Sequence, residues 1–177
     1  MSRSPLVAAL AVGITLALSA CAAEPEPEPT PTGFTTEAEA FKAAEQTYRA
    51  YVEALNGADL QNPSTLEPVY NWLANGALEA TREEFTTMSA SGWTKTGTTV
   101  ASFVEPVPGS FRGSALSLNA CLDVSDVEVL NTDGTSVVSA DRSDVQALLV
   151  DFTWSTETRT HLQISGVTGR EGEPSCD

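Results

Sequence analysis

The chain has 177 residues and a mass of 18.6 kDa, with 9 Lys and Arg against 24 Asp and Glu and a formal charge of −15. That balance excludes a nucleic-acid binder, because neutralising phosphates takes clustered cations. An apolar content of 41% with 7% aromatics is that of a folded chain, and the length allows one domain with a proper core.

The first segment reads as an export signal. Arg3 supplies a positive start, and residues 6–18 form an uncharged apolar run too short to anchor across a bilayer. The run ends in Leu18-Ser19-Ala20-Cys21, which resembles the lipobox of bacterial lipoproteins. Small residues there admit a peptidase to the backbone, and the thiol is the nucleophile that takes a diacylglyceryl group. The resemblance implies a signal peptide over residues 1–20 and a mature protein that begins at a lipidated Cys21. A Glu-Pro repeat follows over residues 24–29. Proline cannot continue a helix and biases its predecessor to extended geometry, so residues 21–33 are expected to act as a stiff spacer of roughly 30 Å. Most of the acidic charge lies beyond this tether, in residues 34–177. It is read as a solubilising surface for an exported domain.

Within the domain, Thr36-Glu37-Ala38-Glu39 is a capping-box pattern that opens a helix, and Asn56-Gly57 stops it. Phe41, Ala44, Tyr48, Tyr51, Val52 and Leu55 recur on one face at three- and four-residue spacing. A short helix is expected over residues 66–74, with Pro68 in its first turn, and another over 77–89, with Leu78, Phe85 and Met88 inward. Beyond Gly92 the apolar period becomes two. Residues 93–104 read as one strand and 105–113 as a loop. Leu116, Leu118, Ala120, Leu122 and Val124 then face the core, while Ser117, Asn119, Cys121 and Asp123 face away. Val127 and Val129 reverse that parity, which predicts a bulge near Ser125-Asp126. Asn131-Thr132-Asp133-Gly134 predicts a hairpin turn into a strand over 135–140, and residues 145–154 and 160–167 form the last pair. Helices first and antiparallel strands afterwards make an α+β domain.

That order is similar to the cone fold of nuclear transport factor two and ketosteroid isomerase, in which helices pack on a curved antiparallel sheet. The chain also resembles a group of lipoproteins from high-GC Gram-positive bacteria. The likeness runs through the lipobox, the acidic tether, TEAEAFKAAEQTYRAYVEALN, ACLDVSDVEVLNTDGTSV, Ala140-Asp141-Arg142 and a last Cys. It implies a location outside the cytoplasmic membrane and a fold, and brings no activity with it.

With Cys21 committed to lipid, Cys121 and Cys176 remain. An even pair in an exported domain reads as a disulfide, which would draw the C-terminal tail across the outward face of the sheet. No CxxC is present and no cation adjoins either Cys in sequence, so the bond reads as a staple.

The chemistry-bearing residues are few. One His and a committed Cys pair leave no zinc set, and no cofactor motif occurs. His161 has the parity of a polar face. Ketosteroid isomerase-like enzymes use a helix Tyr and strand acids inside the cone, and Tyr48 and Tyr51 lie on the inward stripe. Asp123 and Asp151, however, have outward parity. Tyr48, Tyr51, Trp72, Trp93, Phe103 and Trp154 are candidates to line a pocket, and they read equally as core. The expectation is a monomeric, lipid-anchored extracytoplasmic module without catalytic residues, metal or cofactor. It would bind a small apolar ligand or an envelope protein and no nucleic acid. The alternative is a small cone-fold enzyme acting on an apolar ligand with Tyr48 as donor.

Overall fold

The structure, a computed structural model, describes residues 33–176. The expected signal peptide, Cys21 and nearly all of the expected tether lie outside the described residues.

Helix α1 (Glu37–Asn56) begins where Thr36 accepts a hydrogen bond from the Glu39 N–H, 3.2 Å. This satisfies one of the donors that a helix start leaves open. Glu39 accepts from the Thr35 hydroxyl in turn, 2.8 Å. The other end is not stopped by a left-handed glycine, since Gly57 has φ −81°. The Asn56 amide instead clips Thr99, accepting from its N–H at 2.7 Å and donating to its carbonyl at 2.8 Å. A local turn signal thus ends the helix through a contact 43 residues away.

A 3-10 turn (Pro63–Thr65), the short α2 (Glu67–Tyr70) and α3 (Asn75–Ala90) complete the helical layer. The helix expected over 66–74 shrinks to one turn. Its remaining residues serve the sheet: Ile164 donates to the Trp72 carbonyl and Ala74 donates to the Ile164 carbonyl, both at 2.8 Å. This linker covers the edge of the last strand, a place where open backbone groups invite pairing with other chains.

The strand expected over 93–104 is two strands in two sheets. β1 (Thr94–Thr96) and β2 (Val100–Pro106) are separated at Gly97, which has φ +80°. A Cβ there would lie 1.8 Å from the Asp126 carbonyl oxygen, so both the turn and the close approach require glycine. β3 (Ala115–Asp123) then pairs with β2. The bulge expected at Ser125-Asp126 is a tight turn instead. Val127 donates to the Val124 carbonyl at 3.0 Å, and Asp123 accepts from the N–H and hydroxyl of Ser125. The parity reversal arises because β4 (Glu128–Leu130) leaves the main sheet and pairs with β1.

The turn at Asn131 forms, Gly134 donating to the Asn131 carbonyl at 3.0 Å, but the strand over 135–140 does not. One bridge, Leu130 with Ser136, follows the turn. The segment is then tied down by Arg142, whose guanidinium donates to the Val124 and Val127 carbonyls. β5 (Val145–Trp154) and β6 (Leu162–Gly169) close a main sheet of order β2-β3-β5-β6, antiparallel throughout.

Two irregularities bend this sheet, one between Ala101 and Phe103 and one opposite Asp151 and Phe152. The helices lie on its inner face. Leu118, Ala120, Val150, Phe152, Leu162 and Ile164 are all at most 1% exposed there, beneath Ala44, Tyr48 and Val69. Each large side chain so buried contributes about 1.5–3 kcal/mol relative to exposure. Thr47 links α1 to the turn between β5 and β6, donating to or accepting from Thr160 at 2.6 Å. The result is an α+β domain of helices packed on a curved antiparallel sheet.

On the outer face Cys121 and Cys176 form a disulfide, their Cα atoms 5.5 Å apart. Cys121 is 2% exposed because the tail covers it. Sequence adjacency shows no cation near either sulfur, but Arg170 folds back on the tail. It donates to the Gly172 and Pro174 carbonyls and stands 3.7 Å from the Cys176 Sγ.

Candidate functional site

The inward stripe of α1 carries Tyr48 and Tyr51 side by side, ring centroids 6.3 Å apart. Opposite them, α3 presents Gly76, Ala77 and Ala80, spaced to share one helix face. Those short side chains cannot fill the gap between α1, α3 and the sheet. A cavity of about 530 Å³ remains, closed on the sheet side by Leu122, Leu148 and Val167. Val167 belongs to this face because the β6 irregularity restores it to the side of Val150, its partner. It is 40% exposed, which marks the open mouth.

The lining mixes apolar and polar side chains. Tyr48 is 1% exposed and its hydroxyl has no hydrogen-bond partner among the described residues. Burial, with the neighbouring Tyr51 adding to it, holds the Tyr48 phenol protonated far above the ordinary range. Burial and the Glu84 carboxylate push Tyr51 up to about 12. Both phenols are therefore neutral donors, and neither is a base. Thr81, Glu84, Gln146, Ser165 and Thr168 are the other polar residues of the lining.

These shifts make alkali the test of the pair. Unfolded tyrosine ionises near 10, whereas folded Tyr51 keeps its proton to about 12. The folded state binds the proton more tightly, so its contribution is whole below pH 10 and is lost as pH rises toward 12. Tyrosinate absorbance from Tyr48 and Tyr51 is expected only together with loss of the circular-dichroism signal. Full ionisation of all three tyrosines near pH 10 with native dichroism would refute this placement.

Of the six candidate lining residues, only Tyr48 and Tyr51 reach the cavity. Trp72 lines a separate pocket beside α2, and Trp93 packs with Met88 and Val129 near the small sheet. Phe103 stands opposite Cys121 on the outer face and is 38% exposed, because the irregularity after Ala101 turns it outward. Trp154 sits between Phe34, edge-on at 5.3 Å, and His161, stacked at 5.0 Å. The strand acids also lie outside. Asp151 accepts from Ser117 at 2.6 Å on the outer face, and Asp123 holds Ser125. Among the described residues no group of three His, Cys, Asp or Glu is placed to hold a metal ion. Thr81, Glu84 and Gln146 escaped the sequence reading. The available signal was the Gly76, Ala77 and Ala80 face of α3, too small to be core.

Neither a protein-family model nor a curated protein matches the chain. Among solved structures it is similar to the intermembrane space region of the chloroplast protein ARC6, at 11% identity over 73% of this chain and 95% of that one, TM-score 0.47. It is also similar to a candidate aromatic ring hydroxylase from Novosphingobium aromaticivorans, at 13% identity over 76% and 96%, TM-score 0.48. A third is the periplasmic domain of DotI, at 12% identity over 78% and 98%, TM-score 0.42. At such values no ligand or activity passes from those proteins to this one.

Proposed function

We propose that this protein is a lipid-anchored extracytoplasmic binding module whose cavity holds a small, mainly apolar ligand bearing one hydrogen-bond acceptor. The observation that carries the reading is the Tyr48 hydroxyl, buried and unpartnered at a cavity of about 530 Å³. A buried donor left open costs about 1–3 kcal/mol, a cost that an acceptor on a ligand removes. The apolar walls of Leu122, Leu148 and Val167 supply the rest of the affinity. Two phenols held neutral favour binding over proton abstraction, and the strand aspartates that a base would require face the other way. The export signal, the lipobox and the Cys121–Cys176 pair support the location.

Native mass spectrometry of the mature protein taken from its own membranes tests this reading. A mass excess that is released on denaturation is expected, and its composition names the ligand. Tyr48→Phe should retain about tenfold less of that compound, the cost of one hydrogen bond, while thermal stability without ligand stays equal or rises. A bare protein that also takes up no apolar fluorophore would end the proposal.

A further inference from the structure

The described arginines divide by what their guanidinium groups do. Arg49, Arg112, Arg142 and Arg170 all donate to backbone carbonyls and clamp the fold. Arg82 and Arg159 make no hydrogen bond and no ion pair among the described residues, where the one ion pair joins Arg49 to Glu45. Both line a pocket of about 490 Å³ between α2, α3 and the β5–β6 turn. Of the described arginines these two are the ones without a hydrogen-bond partner, and they share one concavity.

The pocket is distinct from the cavity described above. On α3, Leu78 and Arg82 are four residues apart on one side, and Ala77, Ala80 and Thr81 occupy the other. The two spaces share Leu73 alone. Tyr70 and Trp72, both half-buried, give the pocket aromatic surface, and the Arg82 guanidinium lies 4.8 Å from the centre of the Tyr70 ring.

Glu67 and Glu157 line the same pocket and pair with neither arginine. A bare anion is repelled by these carboxylates, and a bare cation by the guanidiniums. A molecule with one anionic group and several hydroxyls satisfies both sets, since guanidinium forks match carboxylate and phosphate while a carboxylate accepts from hydroxyls. We propose that this pocket binds an anionic sugar, its carboxylate or phosphate on Arg82 and Arg159, its hydroxyls on Glu67 and Glu157, and its ring against Trp72.

Isothermal titration calorimetry of the full-length protein tests this with trigalacturonate, glucose 6-phosphate, maltotriose and inorganic phosphate. Saturable binding of one or both charged sugars is expected, with maltotriose and phosphate at least about tenfold weaker. Trigalacturonate alone would assign a carboxylate, and glucose 6-phosphate alone a phosphate; either supports the proposal. Arg82→Gln and Arg159→Gln should each weaken binding about tenfold to a hundredfold, as loss of a charge-assisted hydrogen bond does. Both side chains are exposed, so the thermal midpoint should hold, and if one variant unfolds the other carries the test. Four results would overturn the proposal: no binding of either charged sugar, equal binding of maltotriose, equal binding of phosphate, or unchanged affinity in both variants.

Discussion

Cys21→Ser is expected to leave the protein as a full-length precursor that takes up no palmitate label, with the mature form gone from the membrane fraction. The effect is all or none because Cys21 is the only thiol in the lipobox-like motif, and a serine hydroxyl does not accept the diacylglyceryl group. Among the described residues no helix is long and apolar enough to cross a membrane. Two chains hold a protein firmly where one is marginal. Fractionation with radiolabelled palmitate reads the outcome directly. An acylated mature form in the Cys21→Ser strain would overturn the assignment of the anchor to Cys21 and leave the binding cavity untouched.

The second large effect belongs to the disulfide. Cys121 and Cys176 are 55 residues apart, and closing a loop of that length restricts the unfolded chain enough to stabilise the fold by about 4 kcal/mol. The double variant Cys121→Ser, Cys176→Ser should therefore unfold roughly 13 °C lower by calorimetry. Reducing agent should move the native protein to the same midpoint. Two further losses add to this: the tail that hides Cys121 is released, and Arg170 loses the carbonyls and sulfur it holds. A midpoint within about 3 °C of the native one would mean that the tail is held by Arg170 and Ala147 rather than by the bond.

Most of the architecture was legible because it follows from short-range rules. The alternation over residues 116–123 places its residues as read. The α1 stripe is right at Ala44, Tyr48 and Val52, but the buried face also takes in Ala40, Ala43 and Thr47 and leaves Phe41, Tyr51 and Leu55 partly exposed. The misreadings among the strands share one cause. Residues 93–104 look like one strand, yet two sheets compete for them, and Asp126 pressing on Gly97 decides where they part. Residues 135–140 have strand composition but make only one bridge, Leu130 with Ser136, before Arg142 ties the segment to the Val124 and Val127 carbonyls. A strand needs a partner, and composition does not say whether one is free.

The cavity shows the same division. The amino-acid sequence by itself determined the helix face that bears Tyr48 and Tyr51, the outward parity of Asp123, Asp151 and Cys121, and the pairing options of the cysteines. Only the tertiary structure decided that four of the six candidate aromatics lie away from the cavity, that small residues of α3 leave the gap, and that Arg82 and Arg159 line one pocket. Periodicity is a property of one segment and survives in isolation. A cavity is the volume that several segments fail to fill, and it exists only once all of them have packed.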